Sequence, residues 1–177
     1  MVRTSLGVLL TICSIIDSPT DMRVPTSLAY HLSDIYVEEL DKALASAPEP
    51  ILPAPLSTLL TPFFLLAART PTSTTYKRVQ SEVFAPLFSA LSPAPPEDQP
   101  PAQKRMRLDP SVQYPTLVAN ACFDHPSEGK IVGGILRRKL LRQIFEIASG
   151  PDTTDSNRRK MYALFKDNTE DDGSEGR

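Results

Sequence analysis

A chain of 177 residues with 41% hydrophobic residues can close a core of ordinary size, which excludes a wholly disordered protein. The two cysteines, Cys13 and Cys122, are too few and too distant for a disulfide framework, which excludes a disulfide-stapled scaffold and fits a reducing compartment. The net charge of −2 conceals three unlike stretches: residues 1–97 carry 6 Lys+Arg against 9 Asp+Glu, residues 98–166 carry 12 against 7, and residues 167–177 carry 1 against 5.

In chain order, the first predicted helix covers Thr4 to Ile16. Its apolar run, Leu6 to Ile16, is far short of the ~20 residues that span a bilayer. Arg3 precedes this run as it would in a secretory signal, but ICSIIDSPT offers no small-x-small cleavage site, so a buried helix is expected. The second helix runs from Pro25 to Ser46, with Pro25 suited to a first turn, where its missing N–H costs nothing. Leu28, Leu32, Ile35, Leu40 and Leu44 form its apolar stripe, and Asp34, Glu38, Glu39 and Asp41 make the rest acidic. After a Pro-rich connection, Pro48 to Pro55, a third helix is read at Leu56 to Ala68, with Pro62 predicting a kink or a late start. The fourth, Thr72 to Ser92, has a wide apolar face from Tyr76 to Leu91 and a bend at Pro86.

Residues 92–115 are polar and Pro-rich and read as a flexible linker. Helices at Lys130 to Ser149 and Ser156 to Lys166 follow, broken apart at Gly150-Pro151. From Asp167 the chain is too acidic and too poor in apolar residues to fold alone. No strand shows convincing alternation. The expected organisation is helical hairpins over 1–91, a linker over 92–115, basic helices over 116–166 and an acidic disordered tail over 167–177. The expected fold class is all-α, a HEAT- or armadillo-like stack of antiparallel helix pairs.

Chemistry-bearing motifs are few. Cys122 and His125 have CxxH spacing, but Cys13 and His31 supply no matching pair, so no zinc site is expected. Gly133-Gly134 lacks the strand and third glycine of a dinucleotide fingerprint, and no nucleophile elbow or phosphate loop occurs. The chain reads as a non-enzyme without cofactor, metal or small-molecule substrate. Its basic clusters carry more information. Lys104, Arg105 and Arg107 lie in the Pro-rich insert as a candidate nuclear import signal. Arg137, Arg138, Lys139 and Arg142 crowd one helix, and Arg158, Arg159 and Lys160 begin the next. If the two helices pack side by side, these seven cations could face one phosphate backbone, giving salt-dependent, sequence-independent binding. The sequence shows no RNA-recognition fingerprint and no exposed aromatic platform. The acidic face of Asp34, Glu38, Glu39 and Asp41 suits a basic protein partner.

Three segments, RVPTSLAYHLSDIYVEELDKAL, PFFLLAARTPTSTTYKRVQSEVFAPL and LRRKLLRQIFEIASGPDTTDSNRRKMYALFKD, carry a resemblance that covers Val24 to Asp167. Their combination and order, with a Pro-rich insert before the third, resemble the fungal branch of the ribosomal RNA-processing protein 1 family. The resemblance implies a HEAT-like all-α fold and a nuclear, nucleolar location. It also implies a non-enzymatic role in processing precursor rRNA on pre-60S particles, among assembly factors and ribosomal proteins and away from membranes. MVRTSLGVLLTICSIID stands where family members have a longer helical region, so the chain is expected to correspond to the C-terminal part of the family unit. The alternative reading is an RNA-independent HEAT- or armadillo-type adaptor between proteins.

Overall fold

The computed structural model describes residues 26–48, 50–92 and 113–170. The first predicted helix, the import-signal residues and residues 171–177 lie outside them. Among the described residues the architecture is an all-α stack in which one helix is surrounded by the others. Helix α1 spans Thr26–Ala45, α2 Leu56–Arg69, α3 Ser73–Val79, α4 Ala85–Ala90, α5 Pro115–Ala119, α6 Gly133–Ser149 and α7 Asp155–Glu170.

Helix α2 is apolar nearly all round, a pattern that requires burial on every side. Leu56, Leu59, Leu60, Phe63, Phe64, Leu66, Ala67 and Ala68 are all buried. It packs against α3, α6 and α7. Pro62 neither delays nor ends it: the helix starts at Leu56 and continues through the proline. The lost donor to the Thr58 carbonyl is a local defect, and packing on all sides outweighs it.

Helix α1 buries Ala29, Leu32, Tyr36, Val37, Leu40 and Leu44, packing mainly against α3, α5 and residues 80–84 and reaching α2 through Tyr36. The predicted stripe is rotated from this face. Leu28 is exposed and Ile35 only half-buried, because Tyr36 and Val37 take the inner positions. Tyr36 explains the rotation: its hydroxyl donates to the Leu59 carbonyl at 2.8 Å and its ring lies 4.7 Å from that of Phe63. A phenol body with a polar tip can therefore be buried here without an unsatisfied group.

The fourth predicted helix is present but divided. A π-turn, Gln80–Phe84, separates α3 from α4, and Pro86 sits in the first turn of α4. Pro86 has no N–H to offer the Glu82 carbonyl, and the widened turn just upstream accommodates that loss. The apolar face continues across it: Tyr76, Val79, Val83, Phe84, Leu87, Phe88 and Leu91 are all buried.

After residue 112 the chain forms α5 and then a two-residue parallel pairing that the sequence could not announce. Ala54–Pro55 (β1) pairs with Ala121–Cys122 (β2). Two residues are too few to show any alternation. The pairing is reinforced by Ser57 N–H to the Phe123 carbonyl and Ile131 N–H to that of Ala121, at 2.8 and 2.9 Å. Gly133 then lets α6 approach the end of α4, since a Cβ there would meet the Leu91 carbonyl oxygen at 3.0 Å.

Helix α7 packs most extensively on α6 and clamps the end of α2. Buried Asn157 donates to the carbonyls of Ala68 and Thr70, at 3.3 and 2.7 Å. The helix continues to Glu170, four residues into the segment read as acidic tail. Asn168 draws it onward by accepting from Arg137 at 3.0 Å. Residues on both sides of the Pro-rich insert share one hydrophobic cluster, from Ala29 to Leu164. Replacing Asn157 by Ala should lower stability by about 1–3 kcal/mol, because the Thr70 carbonyl loses its donor and that of Ala68 keeps only the Thr154 N–H. The urea midpoint should fall with an unchanged slope.

Candidate nucleic-acid interface

Helix α6 sorts its own side chains. Leu136, Leu140, Leu141, Ile144 and Ala148 turn inward, and Arg138, Lys139 and Arg142 are exposed on the opposite face. Arg142 pairs with Glu146 at 3.3 Å one turn on, and Lys139 sits 5.1 Å from the centre of the Phe123 ring. Both partners leave the cations open to solvent.

The other four predicted cations are placed differently. Arg137 stands on the core stripe, three, four and seven residues before Leu140, Leu141 and Ile144. It is 4% exposed and bonded to Asn168, so it is withdrawn from any surface. Arg158 turns back under α6: its Nε donates to the Ala148 carbonyl at 3.0 Å, and one terminal nitrogen donates to those of Gly150 and Thr153, both at 3.1 Å. It therefore satisfies the orphan carbonyls at the C-terminal end of α6. Lys160 lies 4.9 Å from the ring centre of buried Tyr76, whose phenol is pushed up to about 12 by burial. Of Arg158, Arg159 and Lys160, only Arg159 is exposed like the α6 trio. Side-by-side packing of the two helices thus separates the seven cations by role, leaving four facing outward.

The acidic face of α1 is also divided. Asp34 forms a two-pronged ion pair with Arg78, at 2.6 and 2.5 Å, tying α1 to α3. The Arg78 hydrogen bonds hold its carboxyl below the usual carboxylate range. Asp41 accepts the Leu117 N–H at 2.7 Å and caps α5. Glu38 and Glu39 remain exposed, both paired with Lys42.

Cys122 is buried, which pushes its thiol up, and the His125 Nδ1 is engaged by Ser127 at 2.8 Å. Among the described residues, no group of three His, Cys, Asp or Glu could hold a metal ion, and no helix is long and apolar enough to cross a membrane.

Sequence reasoning missed one feature, an aromatic seam along the outer edge of α6 and α7. Phe145 is 42% exposed, and its ring centre lies 5.1 Å from both Tyr162 and Phe165. The Tyr162 hydroxyl is 3.1 Å from Ser149 Oγ. The available signal was the spacing: Arg138, Arg142, Phe145 and Ser149 recur at four, three and four residues, as do Arg158, Tyr162, Phe165 and Thr169. Such spacing puts each set on one strip of its own helix, and the packing of α6 against α7 brings the two strips to one seam.

A family profile described as nucleolar protein, Nop52, matches residues 2–165. The chain belongs to the Nop52 family of nucleolar proteins. This agrees with the resemblance to the ribosomal RNA-processing protein 1 family, and the match also takes in residues 2–23, ahead of the first resembling segment. Neither the curated proteins nor the solved structures compared with the chain gave a match. Nop52-family membership makes this a nucleolar protein with a role in ribosome biogenesis.

Two predictions follow from how this Nop52-family chain spends its charges. Arg158→Ala should cost about 1.5–3 kcal/mol by removing a donor shared by three carbonyls, whereas Arg138→Ala should change stability by less than about 0.5 kcal/mol. Thermal unfolding of the two variants checks this. Because folding depresses the Asp34 pKa, its contribution is present above the unfolded carboxylate value of about 3.9 and is lost as pH falls through the folded value. The stability gap between wild type and Asp34→Asn should therefore hold above about pH 5 and close in acid, as read by urea titrations across pH.

Proposed function

We propose that the protein is a non-enzymatic, HEAT-like helical scaffold of pre-60S particles that supports processing of large-subunit precursor rRNA. RNA phosphates are held by Arg138, Lys139 and Arg142, with Arg159 on the neighbouring helix. The observation that carries this reading is the exposure of three cations on one face of α6, opposite the face that anchors the helix. Such a face suits a phosphate backbone and reads no base. The exposed Glu38 and Glu39 would meet a basic ribosomal protein or assembly factor. The basic run Lys104, Arg105 and Arg107, outside the described residues, would serve nuclear import.

A second reading, an RNA-independent protein adaptor, draws on the exposed apolar Val132 and Ile135 beside Arg138, which a phosphate backbone does not use. Nuclease treatment of the purified assembly separates the two: an adaptor keeps its partners after the RNA is digested. On the first reading, Arg138→Glu with Arg142→Glu should release large-subunit precursor RNA. It should also flatten the dependence of log affinity on log salt by about 1.4–1.8, the equivalent of two phosphate contacts. Unchanged RNA association and salt slope would remove the phosphate assignment.

A further inference from the structure

The seam between α6 and α7 has a composition that phosphate contact alone does not use. Along α6, Arg138 and Arg142 lead into Phe145 at successive turns of one strip, and α7 sets Tyr162 and Phe165 beside that ring. Phe145 makes a poor core residue here. It sits outside the buried cluster and is 42% exposed, while Leu141 and Ile144 beside it are sealed. The rings are tilted, by 36° and 46°, so they do not consume one another's faces in a stack. Arg142, in the turn before Phe145, has a side chain 81% exposed and is free to reach past its Glu146 partner.

We propose that Phe145, supported by Tyr162 and Phe165, is a stacking platform for an unpaired base of RNA, with Arg142 and Arg138 on the flanking phosphates. An aromatic face is complementary to any base and inaccessible to one held in a duplex. A cation one turn away adds the charge a nucleic-acid strand requires and an apolar protein side chain does not. The ligand class is therefore single-stranded RNA, and the site would hold the protein at a loop, bulge or open spacer instead of along a helix. This rests on the phosphate-binding reading above and deepens it, since that reading makes no distinction between paired and unpaired RNA.

The test uses the full chain, a short unpaired RNA carrying a fluorescent adenine analogue, and the blunt duplex of the same sequence. The wild type should quench the analogue and bind the unpaired strand more tightly. Phe145→Leu keeps apolar bulk but loses the ring. It should abolish quenching and weaken unpaired binding at least about 5-fold, the equivalent of the ~1 kcal/mol lower bound for stacking one base, with duplex binding within about twofold. Phe145→Tyr and Tyr162→Phe keep their rings and should behave as wild type, which guards against a folding defect. Equal binding of both RNAs with a normal salt slope would overturn the platform and leave the phosphate reading standing. Binding of neither would overturn both. Loss of a protein partner from nuclease-treated particles on Phe145→Leu, with RNA binding intact, would assign the rings to a protein and overturn the inference.

Discussion

Everything in this structure depends on the need to cover α2. A fourteen-residue helix apolar on nearly every side cannot stand at a surface, so the rest of the chain is arranged to seal it. Helix α1 lies over one side through Tyr36 and Phe63, the α3–π–α4 arm closes around Phe64, and α6 and α7 complete the enclosure. Polar contacts then set the register. Tyr36 reaches the Leu59 carbonyl inside the helix, and Asn157 reaches those of Ala68 and Thr70 at its end. Buried bonds of this kind add little net energy when made and cost much when left unmade, so they exclude alternative packings.

The same logic governs the cations. A helix that buries one face against α2 has only its other face for solvent, and a guanidinium on the wrong side must be bonded or withdrawn. Arg137 and Arg158 are both arginines in basic runs, yet one lies in the core stripe against Asn168 and the other ties off the end of α6. Their immediate neighbours, Arg138 and Arg159, point outward. Adjacent residues on a helix differ by about 100° in direction, so a run of charges is divided between roles by geometry alone. The acidic residues of α1 are divided in the same way: Asp34 and Asp41 hold neighbouring elements, while Glu38 and Glu39 remain outside.

Much of this was legible in the order of residues. Four helices, read at 25–46, 56–68, 130–149 and 156–166 from period, proline and the Gly150-Pro151 break, stand within four residues of those bounds. Even the burial of Arg137 could be read from its spacing to Leu140, Leu141 and Ile144. Other features were hidden for physical reasons. The Ala54–Pro55 and Ala121–Cys122 pairing is too short for any pattern, and the π-turn ahead of Pro86 resolves a conflict that sequence registers only as a helix breaker. The face of α1 was misjudged because leucines were weighed above Tyr36, whose burial depends on a carbonyl supplied by another helix.

The sequence by itself determined the class of the fold, the existence of each long helix and, through three segments, the family. These properties depend on local propensity and on a hydrophobic period that survives in one dimension. Tertiary structure alone decided that helices on both sides of the Pro-rich insert share one core. It also decided that Arg158 and Lys160 turn inward beside an exposed Arg159, and that Phe145, Tyr162 and Phe165 meet at one edge. Each of those outcomes depends on the rotation of one helix against another. That rotation is set by packing around α2, and no single segment carries it.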